Sequence, residues 1–105
     1  MTERHTLPMR RYCETFELPY GGLTNGHIVN VGRYPDGAVA EVFISGGRSG
    51  ETVQAMARDS GVILSLALQY GVPLSAIRHA ITRDSQNLPQ SIIGAVVDRL
   101  VEASS

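Results

Sequence analysis

Hydrophobic and polar positions alternate along the first third of the chain and recur at three- and four-residue steps after it, so strands come first and helices follow. Arg10 to Leu18 sets Tyr12, Phe16 and Leu18 on one side and Arg11, Cys13, Thr15 and Glu17 on the other, the period of a strand. Pro19-Tyr20-Gly21-Gly22 interrupts it. Leu23 to Arg33 resumes the alternation, with His27, Val29 and Val31 on one face and Ile28 and Asn30 on the opposite one. Tyr34-Pro35-Asp36-Gly37 offers proline for fixed φ and glycine for positive φ, which closes a hairpin. Ala38 to Ser45 then carries Val39, Val42, Phe43 and Ile44, an apolar run that predicts a strand covered on both faces. These three strands form an antiparallel meander.

The longest helix is predicted from Gly50 to Tyr70, with Ser49 as N-cap and Glu51 favouring the positive end of the dipole. Val53, Met56, Ala57, Ile63, Leu64, Ala67 and Leu68 supply its inward side. Gly61 in its middle costs about 1 kcal/mol against alanine, which predicts a close approach by a neighbouring element. Gly71 and Pro73 end it. Leu74 to Thr82 is a shorter helix with Leu74, Ile77 and Ile81 inward and Arg78 outward. Asp84 to Leu88 is a polar loop, and Pro89 opens a third helix whose stripe is Ile92, Ile93, Val96, Val97, Leu100 and Val101. The fold class is therefore α+β, a three-stranded antiparallel meander followed by three helices packed on one face. Residues 1–9 lack periodicity and are expected to be flexible; residues 10–103 form the single domain.

Composition narrows the function classes. A chain of 105 residues with 43% apolar content builds one modest core and no catalytic barrel. Net charge is −1, without blocks of like sign, which argues against nucleic acid or anionic lipid as a partner. The sole cysteine, Cys13, rules out an internal disulfide and is expected to be a buried, inert thiol. The N-terminal residues lack an apolar signal segment and no run is long enough to span a membrane, so a cytoplasmic location is expected.

Two stretches offer candidate chemistry. Gly46, Gly47, Arg48, Ser49 and Gly50 lead from a strand into a helix, where backbone N–H groups and an arginine could hold a phosphate or a nucleotide, although no P-loop lysine follows. The competing reading is a connector ending in a capping serine. An alternative is a small DNA-binding module in which helices two and three form a helix-turn-helix and Arg78, His79 and Arg83 face DNA, against which stands the absence of a basic stripe. His5, His27 and His79 lack metal spacing, so no metal site is expected and each histidine is read as satisfied or solvated. Glu41 interrupts an apolar strand; if buried it requires a cation, with Arg33 or Arg48 as the candidates.

Four segments carry a family likeness: Tyr34-Pro35-Asp36-Gly37, Glu41-Val42-Phe43-Ile44, Arg48-Ser49-Gly50 and Ser65-Leu66-Ala67-Leu68-Gln69-Tyr70-Gly71-Val72-Pro73-Leu74. With Leu18-Pro19 and Thr24, the chain from roughly Arg11 to Ile81 resembles the C-terminal region of adenosylcobalamin-dependent (class II) ribonucleotide reductases, the TSCPD domain. The Thr-Ser-Cys-Pro-Asp motif that gives the domain its name is absent here, as are the cysteines associated with metal binding in some members. In that family, reduction belongs to a large barrel with a radical cysteine, a redox cysteine pair and cobalamin, more thiols than one cysteine supplies. The resemblance thus implies an accessory, regulatory or interaction module of deoxyribonucleotide synthesis, or a subunit completing a split ribonucleoside-diphosphate reductase. No cofactor is expected on this chain, and its expected partner is a reductase subunit or a second copy of itself.

Overall fold

A computed structural model of the protein describes residues 3–20, 26–46 and 50–104. Three strands, β1 (Cys13–Leu18), β2 (His27–Arg33) and β3 (Val39–Gly46), precede three helices, α1 (Gly50–Gln69), α2 (Leu74–Ala80) and α3 (Ile92–Ser104). The sheet is an antiparallel meander in the order β1-β2-β3, as the alternation predicts. Tyr34 accepts from the Gly37 N–H and donates to Ala38, while Gly37 takes φ +92°, the positive value that its glycine permits. A register shift between Gly32 and Arg33 sits just before this turn.

One face of the sheet is mostly apolar, with Glu14 and His27 as its polar members. Cross-strand rows bring Phe16, Val29 and Ile44 together, and Val31 opposite Val42. Val96, Val97 and Leu100 of α3 and Ala57 and Leu64 of α1 close the core over them. Arg99 of α3 lies over the Phe16 ring at 4.6 Å, which ties the third helix to the β1 side of that face. The opposite face is mixed: Thr15 bonds Asn30 across the strands at 2.6 Å, and Phe43 is 51% exposed. On the alternate side of β3, Glu41 is covered but Phe43 is left exposed. The expectation of two covered faces fails at Phe43, which follows Val42 on the alternate side and is half exposed.

The long helix covers the free edge of β3 as well as its face. The Ser65 hydroxyl accepts from the Val42 N–H at 2.7 Å and lies 3.1 Å from the Val42 carbonyl, and Gln69 Nε2 donates to the Ala40 carbonyl at 2.9 Å. Ser65 and Gln69 are one helical turn apart, so the helix satisfies edge groups that would otherwise invite another strand. Gly61 sits one turn earlier, and a side chain there would meet the Val42 carbonyl at 3.0 Å. The close approach expected of this glycine is thus present, against β3.

The helix ends follow local chemistry. Gly71 takes φ +95°; its N–H bonds the Leu68 carbonyl and the Val72 N–H bonds Ala67, the paired bonds of a Schellman ending. The second helix stops at Ala80, two residues short of expectation. The third begins at Ile92 rather than at Pro89, because Pro89 bridges Arg83 in an isolated antiparallel pair instead. Ahead of β1, His5 stacks on Tyr34 at 4.1 Å, and its backbone donates to the Gln69 carbonyl and accepts from the Tyr34 hydroxyl.

Candidate functional site

Four polar residues are buried among the described ones, Glu41, Ser65, Gln69 and His27, and three are accounted for. Ser65 and Gln69 hold the edge of β3, and Gln69 Oε1 also accepts from Arg4. Glu41 projects over Gly32, its cross-strand partner, and takes both a short and a longer bond from the Arg11 guanidinium. That bond raises the arginine above its ordinary pKa. The partner is therefore Arg11 rather than Arg33, which is engaged with Glu14 at 2.6 Å; Arg48 lies outside the described residues. Sequence spacing could not find Arg11, because its reach depends on the bare surface left by Gly32.

His27 is the fourth, and it differs. It is 2% exposed, it lies on the inner face of β2 between Leu18 and Gly46, and neither ring nitrogen has a partner among the described residues. It borders a cavity of about 360 Å³ between the first half of α1 and the start of α3, with Tyr20, Ala57, Ser60, Ser91 and Ile92 among the walls. Burial, followed by the nearby Asp84 charge, pushes the Tyr20 hydroxyl above its usual pKa. The expectation of a satisfied or solvated histidine fails here; the ring faces the core side, away from water.

The sequence-predicted site residues fall in three places. Gly46 ends β3 with φ +83° and Gly50 begins α1, while Gly47, Arg48 and Ser49 lie outside the described residues. Arg78 and His79 close the last turn of α2, and Arg83 follows it. Both arginines converge on Asp98 of α3: Arg83 binds it through two bonds of 2.7 and 2.9 Å, and Arg78 reaches it at 3.3 Å. The Arg83 guanidinium holds the Asp98 carboxyl below its ordinary pKa. This ion cluster ties the end of α2 to α3. Cys13, expected to be buried, is exposed on the first residue of β1, on the face that the helices leave uncovered.

Sequence periodicity misplaced one surface. Met56 and Ile63, assigned to the inward side of α1, are 64% and 68% exposed, and Val53, Val62, Leu66 and Tyr70 are also exposed. Val53 was assigned inward as well; Ala57, Leu64 and Leu68 do face the core as expected, and they are joined there by Gly61, Ser65 and Gln69. The helix is apolar on more than one side, so periodicity by itself could not decide which stripe meets the sheet; the small and hydrogen-bonding residues win because the helix must approach the β3 edge closely. Among the described residues, no group of histidines, cysteines and carboxylates could hold a metal ion, and no helix is long and apolar enough to cross a membrane.

Comparison with known proteins places the chain. The TSCPD domain matches residues 3–103. Vitamin B12-dependent ribonucleotide reductase from Agrobacterium fabrum is 36% identical over 80 residues, covering 76% of this chain and 6% of the relative. The protein of the same name from Rhodopirellula baltica is 39% identical over 74 residues, or 70% of this chain and 7% of the relative. That from Bradyrhizobium diazoefficiens is 34% identical over 82 residues, 78% of this chain and 6% of the relative. The chain thus spans a small fraction of the length of the curated relatives it matches. No solved structure matches it significantly.

Proposed function

The chain belongs to the TSCPD domain family, and from that premise we propose that it is a non-catalytic interaction module of the B12-dependent ribonucleotide reductase system, docking on a reductase polypeptide through the outward side of α1. One observation carries this reading: Met56, Val62, Ile63 and Leu66 of α1 are all exposed, with Tyr70 just past its end. They recur at helical spacing along the outward side of α1, with Asp59 among them, and exposed apolar surface grouped in this way marks interaction sites. In the relatives the matching segment is a small part of a long polypeptide, a setting in which such a face has a neighbour to meet.

Chemistry by this chain alone has little support. The resemblance implies three cysteines for ribonucleotide reduction, and the sequence has one. Cobalamin does not fit the described residues either. The buried histidine, His27, borders a cavity of about 360 Å³, room for a drug-sized molecule and too little for a corrin ring with its nucleotide arm. In this proposal the cofactor stays with the reductase.

The test mixes the purified chain with a B12-dependent ribonucleotide reductase that lacks its own TSCPD segment, and reads co-elution and turnover. The expected result is a complex that forms with the natural sequence and is lost with Ile63→Glu. Absence of both co-elution and any change in turnover overturns the proposal.

A further inference from the structure

His27 carries an inference that rests on a different observation from the docking face, although Met56 borders both. Every other buried polar side chain among the described residues has a hydrogen-bonding partner, and leaving one without costs about 1–3 kcal/mol. His27 has both nitrogens buried and unpartnered among those residues, at the wall of a cavity large enough for a ligand. The cavity is asymmetric. Met56, Ala57, Ile92 and Ile93 make one side apolar, whereas His27, Tyr20, Ser60 and Ser91 contribute ring nitrogens and hydroxyls. None of the described lining residues is a carboxylate, lysine or arginine, so among those residues a charged ligand has no counter-ion.

We propose that the cavity beside His27 binds a small, uncharged heterocycle whose ring lies against the α1 and α3 side chains and whose polar edge meets the imidazole. A neutral imidazole has one N–H donor and one bare nitrogen acceptor. A heterocycle that carries both an N–H and a lone-pair nitrogen on its polar edge can satisfy either one, whichever tautomer the protein holds. A hydrocarbon of the same shape gains only the apolar contact. Met56 and Val53, both exposed at the rim of this cavity, give the ligand a way in without unfolding.

The experiment uses the full chain labelled with ¹⁵N on histidine, titrated with benzimidazole and, separately, with indene, its hydrocarbon counterpart. Benzimidazole is expected to shift a ring nitrogen of His27 saturably, leaving His5 and His79 in place. Indene should bind at least about tenfold more weakly, the loss that one buried hydrogen bond predicts. His27→Phe keeps the ring shape without its nitrogens; it should remain folded, hold its urea midpoint or raise it, and bind the two probes equally. Three results would overturn the proposal: no His27 shift up to the solubility limit of benzimidazole, equal affinity for both probes in the natural sequence, or a His27 nitrogen already hydrogen-bonded to a protein group in the free chain.

Discussion

Replacing Gly61 with alanine sets two effects of similar size against each other. In an isolated helix the change stabilises by about 1 kcal/mol, because glycine loses more backbone freedom on folding. Here the new methyl would sit 3.0 Å from the Val42 carbonyl oxygen and 3.6 Å from the Ile44 nitrogen. Neither atom belongs to a flexible side chain; both are in a strand held by β2, so the helix must move outward. The Ser65 hydroxyl spans the same gap with contacts of 2.7 and 3.1 Å to Val42, and a shift of a few tenths of an ångström lengthens both. A buried backbone group deprived of its partner costs about 1–3 kcal/mol, so the loss exceeds the propensity gain. We expect Gly61→Ala to destabilise by about 1–2 kcal/mol, a fall in Tm of about 5–10 °C for a domain of this size. Urea unfolding followed by far-UV circular dichroism measures it. Combining the change with Ser65→Ala should cost less than the sum of the two single changes, because both act on the same helix–edge contact. A urea midpoint that rises in Gly61→Ala would refute the claim that α1 is seated on the β3 edge through this glycine.

Other outcomes follow from the packing and the charges. Leu100 is 1% exposed and meets the central sheet residues, so Leu100→Ala should cost about 2–5 kcal/mol in the same urea assay, with the cavity left behind adding to the lost burial. Ile63→Glu should change the unfolding free energy from the urea assay by no more than about 0.5 kcal/mol, since the side chain it replaces is largely in water; a large loss of stability would mean that α1 is seated differently. Asp98 is held below its ordinary pKa in the folded chain by Arg83, so the folded state binds fewer protons than the unfolded one around and below about pH 4. Its contribution is therefore complete above the ordinary aspartate value and disappears as pH falls through the depressed one. Asp98→Asn should lower stability at neutral pH and flatten the acid limb of the stability curve, read as urea midpoints across that range.

What could be read from the chain was the part that one strand or helix decides alone. The β2 alternation of His27, Val29 and Val31 against Ile28 and Asn30 is a property of local geometry and is observed as expected. The Tyr34 to Gly37 turn and the Gly71 ending are equally local, each requiring one positive φ that glycine supplies. What escaped depends on two elements meeting. Met56 and Ile63 are apolar at helical spacing, yet the sheet takes the stripe containing Gly61, Ser65 and Gln69, because an edge with unpaired N–H and C=O groups gains more from short polar contacts than from a bulkier apolar face held farther away. The same competition separates the two candidate sites. If α1 gives its small and polar residues to the edge of β3, its larger apolar residues are left for a partner outside the chain. Among the described residues it also leaves a cavity beside His27, between Val53, Met56, Ala57 and Ser60 of α1 and the start of α3. Ala57→Leu offers a check on that reasoning. Filling the space beside His27 should abolish benzimidazole binding while leaving reductase co-elution through Ile63 intact, and loss of both together would show that the cavity and the outward stripe are one surface.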